Sequence, residues 1–325
     1  MRQTLLAGIS APRRQLLHAR IAEAIERLNP DTVKERAGDI TDHLLKAGPF
    51  ADRQKLARWL TLAGKSALKA AAFEEARRSF QSALSHRGAA DPRQKADLLA
   101  TLAMAERGLD QWDAAIAHLQ EVLEIYINLD DREMIGRSFT ELAAVYIWAG
   151  RFQEATETAQ RGLTYLQAEV SADRARLLAT LAQALAAARV YQPADDALWE
   201  ALNIASQLSD PKLEARLLGV QSTINIQFFR LREIVTDRLL SKQLSGSDLP
   251  PWQFVLQLQI LHQVLLYLGR LEEAVKIADE LEPLARKIGQ SLSVAFCLST
   301  RAWMDFGKAA NLAKLEAGFS ASAKI

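Results

Sequence analysis

Small or aliphatic residues recur along this chain at an almost constant interval. They are Ala76, Ala115, Ala155, Ala194, Ile234 and Ala274. Successive members are separated by 39, 40, 39, 40 and 40 residues. Such a period is typical of arrays in which each repeat is a pair of helices stacked on the next pair. The spacing therefore predicts an all-α fold, an α-solenoid with a period of about 40 residues.

One repeat, over residues 136–168, makes the pattern clearest. Its first helix carries apolar residues at the spacing of one helix face, namely Phe139, Leu142, Ala143 and Tyr146. Gly150 is expected to end that helix, because glycine readily adopts the left-handed conformation of a C-cap. A second helix should follow, with small residues at Ala155 and Ala159. The copy over 215–241 is degenerate, and a weak echo around Ala313 and Ala317 is a candidate last repeat.

Short polar linkers between the repeats support the same reading. Asp and Ser residues are expected to cap the helices that follow them, namely Asp91, Asp131, Ser171 and Asp210. The stretch 245–251 contains the strongest helix breakers of the chain. We expect it to be a long inter-repeat loop and not a domain boundary, because the repeat phase continues across it.

Composition narrows the possible partners and the compartment. The formal net charge is +1, which argues against direct binding of nucleic acid. The chain has one cysteine, Cys297, so it can form no internal disulfide, and a reducing cytoplasm is expected. No apolar run is long enough to predict a membrane span, so we expect no membrane association.

The repeat pattern resembles the tetratricopeptide repeat. In that family, a bulky residue, Leu-Gly or Leu-Ala, and Tyr on the first helix precede Ala-x3-Phe-x2-Ala on the second. The resemblance extends over roughly residues 55–290, and it implies that the α-solenoid is a right-handed superhelix of tetratricopeptide-like helix pairs. The standard period is about 34 residues, against about 40 here, so each pair must carry extra turns or longer loops. The longer spacing is similar to the repeat regions of large bacterial signalling ATPases.

The first fifty residues carry a second resemblance. Arg13-Arg14 with His18, followed by His43 with Ala47-Gly48, is similar to the segment after the ATPase core in bacterial STAND proteins (signal-transduction ATPases with numerous domains). Such segments occur in LuxR-type activators and in ATPase–cyclase fusions. The resemblance implies a helical linker over 1–50 and a repeat array over 51–325. It also implies that the chain is the sensor and regulatory part of such a protein.

The residues that suggest chemistry have simpler interpretations. Gly64-Lys65-Ser66 would need a glycine at position 59 to form a phosphate-binding loop, but that residue is Trp59. The histidines do not have metal-ligand spacing, although contacts between repeats could still bring two together. Cys297 is expected in the core. We therefore expect a non-catalytic chain without cofactor or metal.

The strongest candidate binding feature is a column of basic residues on the first helices. Four repeats carry arginine at one position: Arg58, Arg137, Arg176 and Arg216. One or two turns deeper in the same groove we expect Lys65, Lys69 and Arg107. Because arginine binds carboxylates through two nitrogens at once, the column predicts a protein or peptide partner on the concave face. The alternative is ion pairing with Asp and Glu of neighbouring helices.

Trp148 is a further candidate on the same face. Its position on the first helix suggests either core packing, which we favour, or an exposed aromatic anchor for a partner.

Together these features predict a protein-interaction or sensor module that regulates a signalling ATPase or a transcriptional regulator. In that case an ATPase or output domain would be attached. The alternative is a freestanding peptide-binding adapter, and a helical enzyme is the third hypothesis.

Overall fold

The structure is a computed structural model that describes residues 9–28, 33–86, 91–167, 169–228, 230–245, 251–309 and 320–321. Within these residues the chain forms fifteen α-helices, two short 3-10 helices and no β-strand, which confirms the all-α class. None of the described helices combines the length and apolar character that a bilayer-spanning segment requires. The chain divides into two compact units, residues 1–166 (unit 1) and 167–325 (unit 2).

Unit 1 is a stack of helix pairs in which consecutive helices pack against each other. Its helices are α1 (Ala11–Leu28), α2 (Ala37–Ala47), α3 (Arg53–Lys69), α4 (Phe73–His86), α5 (Pro92–Arg107), α6 (Trp112–Asn128), α7 (Arg132–Trp148) and α8 (Phe152–Leu166). The closest packing is within the pairs α3–α4, α5–α6 and α7–α8. Each repeat therefore contributes one hairpin of helices.

Unit 2 repeats this organisation. Its helices are α9 (Ala172–Ala187), α10 (Tyr191–Gln207), α11 (Pro211–Gln227), α12 (Leu231–Ser245), α13 (Pro251–Tyr267), α14 (Leu271–Ile288) and α15 (Ser291–Ala309). Residues 246–250, the centre of the long loop predicted at 245–251, lie outside the described part of the chain. Ala313 and Ala317 of the candidate last repeat also lie outside it.

The six recurring residues that revealed the period lie in the core of their units. Each is fully buried: Ala76, Ala115, Ala155, Ala194, Ile234 and Ala274. All six lie near the start of the second helix of a pair, where the two helices approach each other. Small side chains allow that approach, and this explains why five of the six recurring residues are alanine.

A residue in the left-handed conformation closes the turn inside the pairs. Gly150 has φ +74°, as predicted, and Gly269 has φ +70°. The equivalent residues of three other pairs are not glycine: Ala71 has φ +56°, Asp110 φ +57° and Arg189 φ +65°. The turn geometry is therefore a property of the repeat, whereas the glycine is not. A side chain in this region costs on the order of 1–2 kcal/mol.

Polar N-caps start the first helices, as the linkers predicted. The Asp131 carboxylate accepts a hydrogen bond from the Met134 amide at 3.3 Å, and Asp210 accepts from the amides of Lys212 and Leu213 at 3.0 Å each. Such caps satisfy backbone donors that the helix itself leaves free.

The first helices of unit 1 share one hydrophobic core with the array. Ile25 of α1 and Ile40 of α2 belong to the same buried cluster as Trp59 of α3 and Leu102 of α5. The division at residue 50, between a linker and an array, stays a prediction.

Candidate functional site

Three basic residues line one face of α3. Arg58, Lys65 and Lys69 are separated by seven and four residues, which places them within an arc of about 40° on an α-helix. All three are exposed, and none forms an ion pair with another described residue. We call Arg58, Lys65 and Lys69 the basic face.

The opposite side of α3 packs into the core of unit 1 and thereby keeps the basic face on the surface. Leu56, Leu60, Gly64 and Ala67 are buried there. A β-carbon added at Gly64 would lie 2.6 Å from the ring of Phe80, so glycine is required for the close approach of α3 and α4. The segment Gly64-Lys65-Ser66 is helical, as expected for a sequence that only resembles a phosphate-binding loop.

The two other candidate basic residues of unit 1, Arg107 and Arg137, have acidic neighbours. The guanidinium of Arg137 lies 2.6 Å from the Glu133 carboxylate of its own helix, and that of Arg107 lies 3.3 Å from Glu141 on α7. Asp97 occupies the column position on α5, 39 residues after Arg58. Within unit 1 the column therefore runs from a positive to a negative to a positive charge, and its unpaired positive charge in this unit is on α3.

The two column residues of unit 2 differ from each other. Arg176 is half-buried and its guanidinium lies 2.7 Å from the carboxylate of Asp173, three residues earlier. Arg216 is exposed and has no ion pair within the described residues. Ion pairing with acidic residues, the alternative to partner binding, therefore occurs at Arg107, Arg137 and Arg176. The pairs of Arg137 and Arg176 are formed within a single helix, and that of Arg107 joins two helices.

Trp148 is an exposed residue at the end of α7. Its side chain is 68% exposed, so the favoured interpretation as a core residue is wrong. Because the Trp148 side chain is exposed, its interpretation as an aromatic anchor for a partner stays a prediction.

Groups with reactive potential are held in structural roles. Burial raises the pKa of the Cys297 thiol to about 11, which keeps it protonated at neutral pH. His118 and the buried Glu106 join α6 to α5 across 2.8 Å, and this hydrogen bond raises the pKa of His118. Among the described residues, no three His, Cys, Asp or Glu side chains gather as metal ligands.

Sequence spacing gave no sign of a pair of histidines in unit 1. The Nδ1 atoms of His18 on α1 and His43 on α2 lie 2.8 Å apart, and the ring centroids are 5.1 Å apart. At that distance one Nδ1 donates its proton to the lone pair of the other. Two protonated rings would place two N–H groups against each other, so the contact requires at least one neutral histidine.

The histidine pair should make the α1–α2 contact weaker in acid. Burial lowers the pKa of His18, the positive charges of His43, Lys46 and Arg14 add to this, and Asp42 opposes it. A histidine whose pKa is lowered by folding stabilises the fold when neutral, so that contribution is lost as pH falls below about 6.5. We expect hydrogen-exchange protection of α1 to decrease between pH 7.5 and 5, by less than about 1 kcal/mol because solvent screens the pair.

The matched variants are His18→Gln and His86→Gln. The first should flatten this pH dependence, and the second, which changes a histidine at the end of α4, should leave it intact. Equal pH dependence in wild type and His18→Gln would show that the pair is not responsible.

Comparisons with known proteins establish the kind of fold. Residues 94–168 match the family model described as tetratricopeptide repeat, and no curated protein matches the chain. A signal-transduction ATPase with numerous domains and a tetratricopeptide repeat sensor, from Pyrococcus horikoshii, is 15% identical with a TM-score of 0.61. That match covers 99% of this chain and 50% of the other.

Two further solved structures are similar. A Rap protein complexed with Competence and Sporulation Factor is 13% identical with a TM-score of 0.58, over 95% of this chain and 87% of the other. A tetratricopeptide repeat protein from Parabacteroides merdae is 15% identical with a TM-score of 0.58, over 85% and 98%. At these identities the likeness shows the fold alone. The fold is tetratricopeptide-like, as the repeat pattern predicted, and the narrower resemblance to STAND proteins stays a prediction.

Proposed function

We propose that this chain is a non-catalytic interaction module whose basic face binds an acidic segment of a protein or peptide partner. The observation that carries the proposal is the unpaired charge of Arg58, Lys65 and Lys69. Like charges at i, i+4, such as Lys65 and Lys69, destabilise a helix by about 0.2–0.5 kcal/mol. An acidic partner would remove that repulsion and add ion pairs. Trp148, exposed on α7 of the same unit, is the proposed aromatic anchor.

We further propose that the module senses a signal for an attached ATPase or transcriptional regulator. The motif around Arg13, His18 and His43 supports this assignment. So does the likeness to the Pyrococcus protein, of which this chain matches half. The Rap protein supports the binding of a partner on such an array, because a protein of similar fold forms a complex with Competence and Sporulation Factor. The freestanding adapter is the alternative, and the basic face serves either role.

A charge-neutralised variant tests the basic face. The triple variant Arg58→Gln/Lys65→Gln/Lys69→Gln should bind a fluorescein-labelled peptide of alternating Glu and Ala at least about tenfold more weakly than wild type. Loss of three exposed ion pairs at about 0.5 kcal/mol each accounts for this factor. Fluorescence anisotropy at about 0.15 M salt, where charges far from the bound peptide are screened, measures the dissociation constant. Helicity by circular dichroism should not change.

The control removes the same charge from unit 2. Arg232, Lys276 and Lys287 are exposed, and their replacement by Gln should leave the affinity within about twofold of wild type once charge steering is screened. An equal loss in both variants would show that only net charge matters, and the proposed face would be rejected.

Affinity capture from the native lysate separates the two roles. Capture by wild type, but not by the triple variant, of a partner that changes the activity of an attached ATPase would support the sensor. Capture of the same kind of partner without any ATPase would support the adapter.

A further inference from the structure

Unit 2 contains a cavity lined by charged and aromatic side chains. Its volume is about 320 Å³, and it lies beside α10. The residues that matter for its chemistry are Asp195, Asp196, Trp199, Leu202, Gln221 and Arg230. Three of the six are charged and one is a tryptophan.

Trp199 forms an exposed aromatic wall of this cavity. Its side chain is 70% exposed. In the three preceding repeats the equivalent position, five residues after the recurring alanine, is glutamine: Gln81, Gln120 and Gln160. The fold therefore does not require an indole here, and an indole that packs little in the unit is available to a ligand.

The wall formed by Asp195 and Arg230 is preorganised. The guanidinium of Arg230 donates two hydrogen bonds, of 3.0 Å and 2.8 Å, to the Asp195 carboxylate. The same guanidinium lies 4.8 Å from the centre of the Phe228 ring, which meets Tyr191 edge to face at 4.5 Å. Bidentate pairing and ring contacts fix both charged groups. This pair contributes no net charge to the cavity.

Asp196 supplies the uncompensated charge. It is exposed, and its carboxylate accepts a hydrogen bond of 2.9 Å from the amide of Gln192. Among the described residues, Asp196 has no cationic partner. The cavity therefore has a net charge of −1, with Trp199 one turn along the same helix.

We propose that this cavity binds a cationic side chain, arginine or lysine, of a partner peptide. A cation placed over the indole of Trp199 is attracted by the ring face, and Asp196 can accept its hydrogen bonds. The volume is at the lower end of the range for ligand cavities, which suits one side chain better than a nucleotide. This site shares no residue with the basic face of unit 1, and it takes a ligand of opposite charge.

Titration with N-acetyl-argininamide tests the proposal. The indole N–H resonance of Trp199, assigned by its loss in Trp199→Phe, should shift and saturate, with a dissociation constant on the order of a millimolar for such a fragment. N-acetyl-citrullinamide has the same shape without the charge, and it should produce no saturable shift. Asp196→Asn should weaken the binding of argininamide by about two- to fivefold, because one exposed charged contact is lost.

Glu272→Gln is the matched control, since it removes one exposed carboxylate from α14 in the same unit. It should leave the affinity unchanged. The proposal is overturned if the Trp199 resonance shows no saturable shift, or if citrullinamide binds equally well. It is also overturned if Asp196→Asn behaves like Glu272→Gln, or if N-acetyl-glutamate amide binds in preference, since Arg230 would then be the anchor.

Discussion

Replacing Phe139 with alanine should lower the free energy of unfolding by about 3–5 kcal/mol. Phe139 lies on α7 and is fully buried. Its ring centre lies 5.5 Å from that of Tyr165, and the Arg161 guanidinium lies 5.9 Å from the Phe139 ring. Truncation would leave a cavity between α7 and α8 and remove both ring contacts. Urea unfolding followed by circular dichroism measures the loss.

The same helix provides the control. Trp148 is larger than Phe139 but largely exposed, so Trp148→Ala should change the free energy of unfolding by less than about 0.5 kcal/mol. If the two variants are equally destabilised, the burial assigned to these two aromatic residues is wrong. Because Trp148 is the proposed anchor, Trp148→Ala should weaken the binding of an acidic peptide that also carries a large apolar side chain, while the fold is kept.

The second large effect concerns Gly64. Gly64→Ala should destabilise the chain by about 1–3 kcal/mol, because the new methyl group would lie 2.6 Å from the fully buried ring of Phe80. The intrinsic preference of alanine for helices would act in the opposite direction, by about 1 kcal/mol, and it should not offset the clash in full. Chemical denaturation measures the net change.

Gly38 on α2 is the matched site. A β-carbon there would meet nothing within 4 Å, so Gly38→Ala should stabilise the chain, by up to about 0.5 kcal/mol because Gly38 lies in the first turn of α2 and not in its middle. Opposite signs at Gly38 and Gly64 would show that the steric contact with Phe80 decides the outcome. Stabilisation by Gly64→Ala would mean that α3 and α4 are not as close as described.

Much of the fold could be predicted because the same residue pattern recurs in several repeats. The buried anchors Ala76 and Ala274, the cap at Asp131 and the left-handed Gly150 each follow from a local rule. Where a repeat departs from the rule the prediction is weaker: Ile234 is as buried as the alanines, but its helix could be located only from the phase.

The candidate sites were harder to predict because they depend on contacts between helices. His18 and His43 are 25 residues apart, and Asp195 and Arg230 are 35 apart. One kind of contact could have been predicted from sequence, because it recurs at the same separation in two helix pairs. His118 contacts Glu106, and Asp237 accepts a hydrogen bond from Asn225; the two residues of each contact are 12 residues apart, across the turn of the pair. The exposure of Trp148 could not be read from its spacing, because an apolar side chain near a helix end can point to either side.

The left-handed residues Ala71, Asp110 and Arg189 have a consequence for fragments of this chain. A hairpin whose turn carries a β-carbon in that conformation is unfavourable when isolated, whereas one closed by Gly150 or Gly269 avoids that cost. The hairpins with Ala71, Asp110 or Arg189 in the turn therefore depend more on packing against neighbouring hairpins. Unfolding would then be unequally cooperative along the chain, and truncation would unfold these hairpins before those closed by glycine.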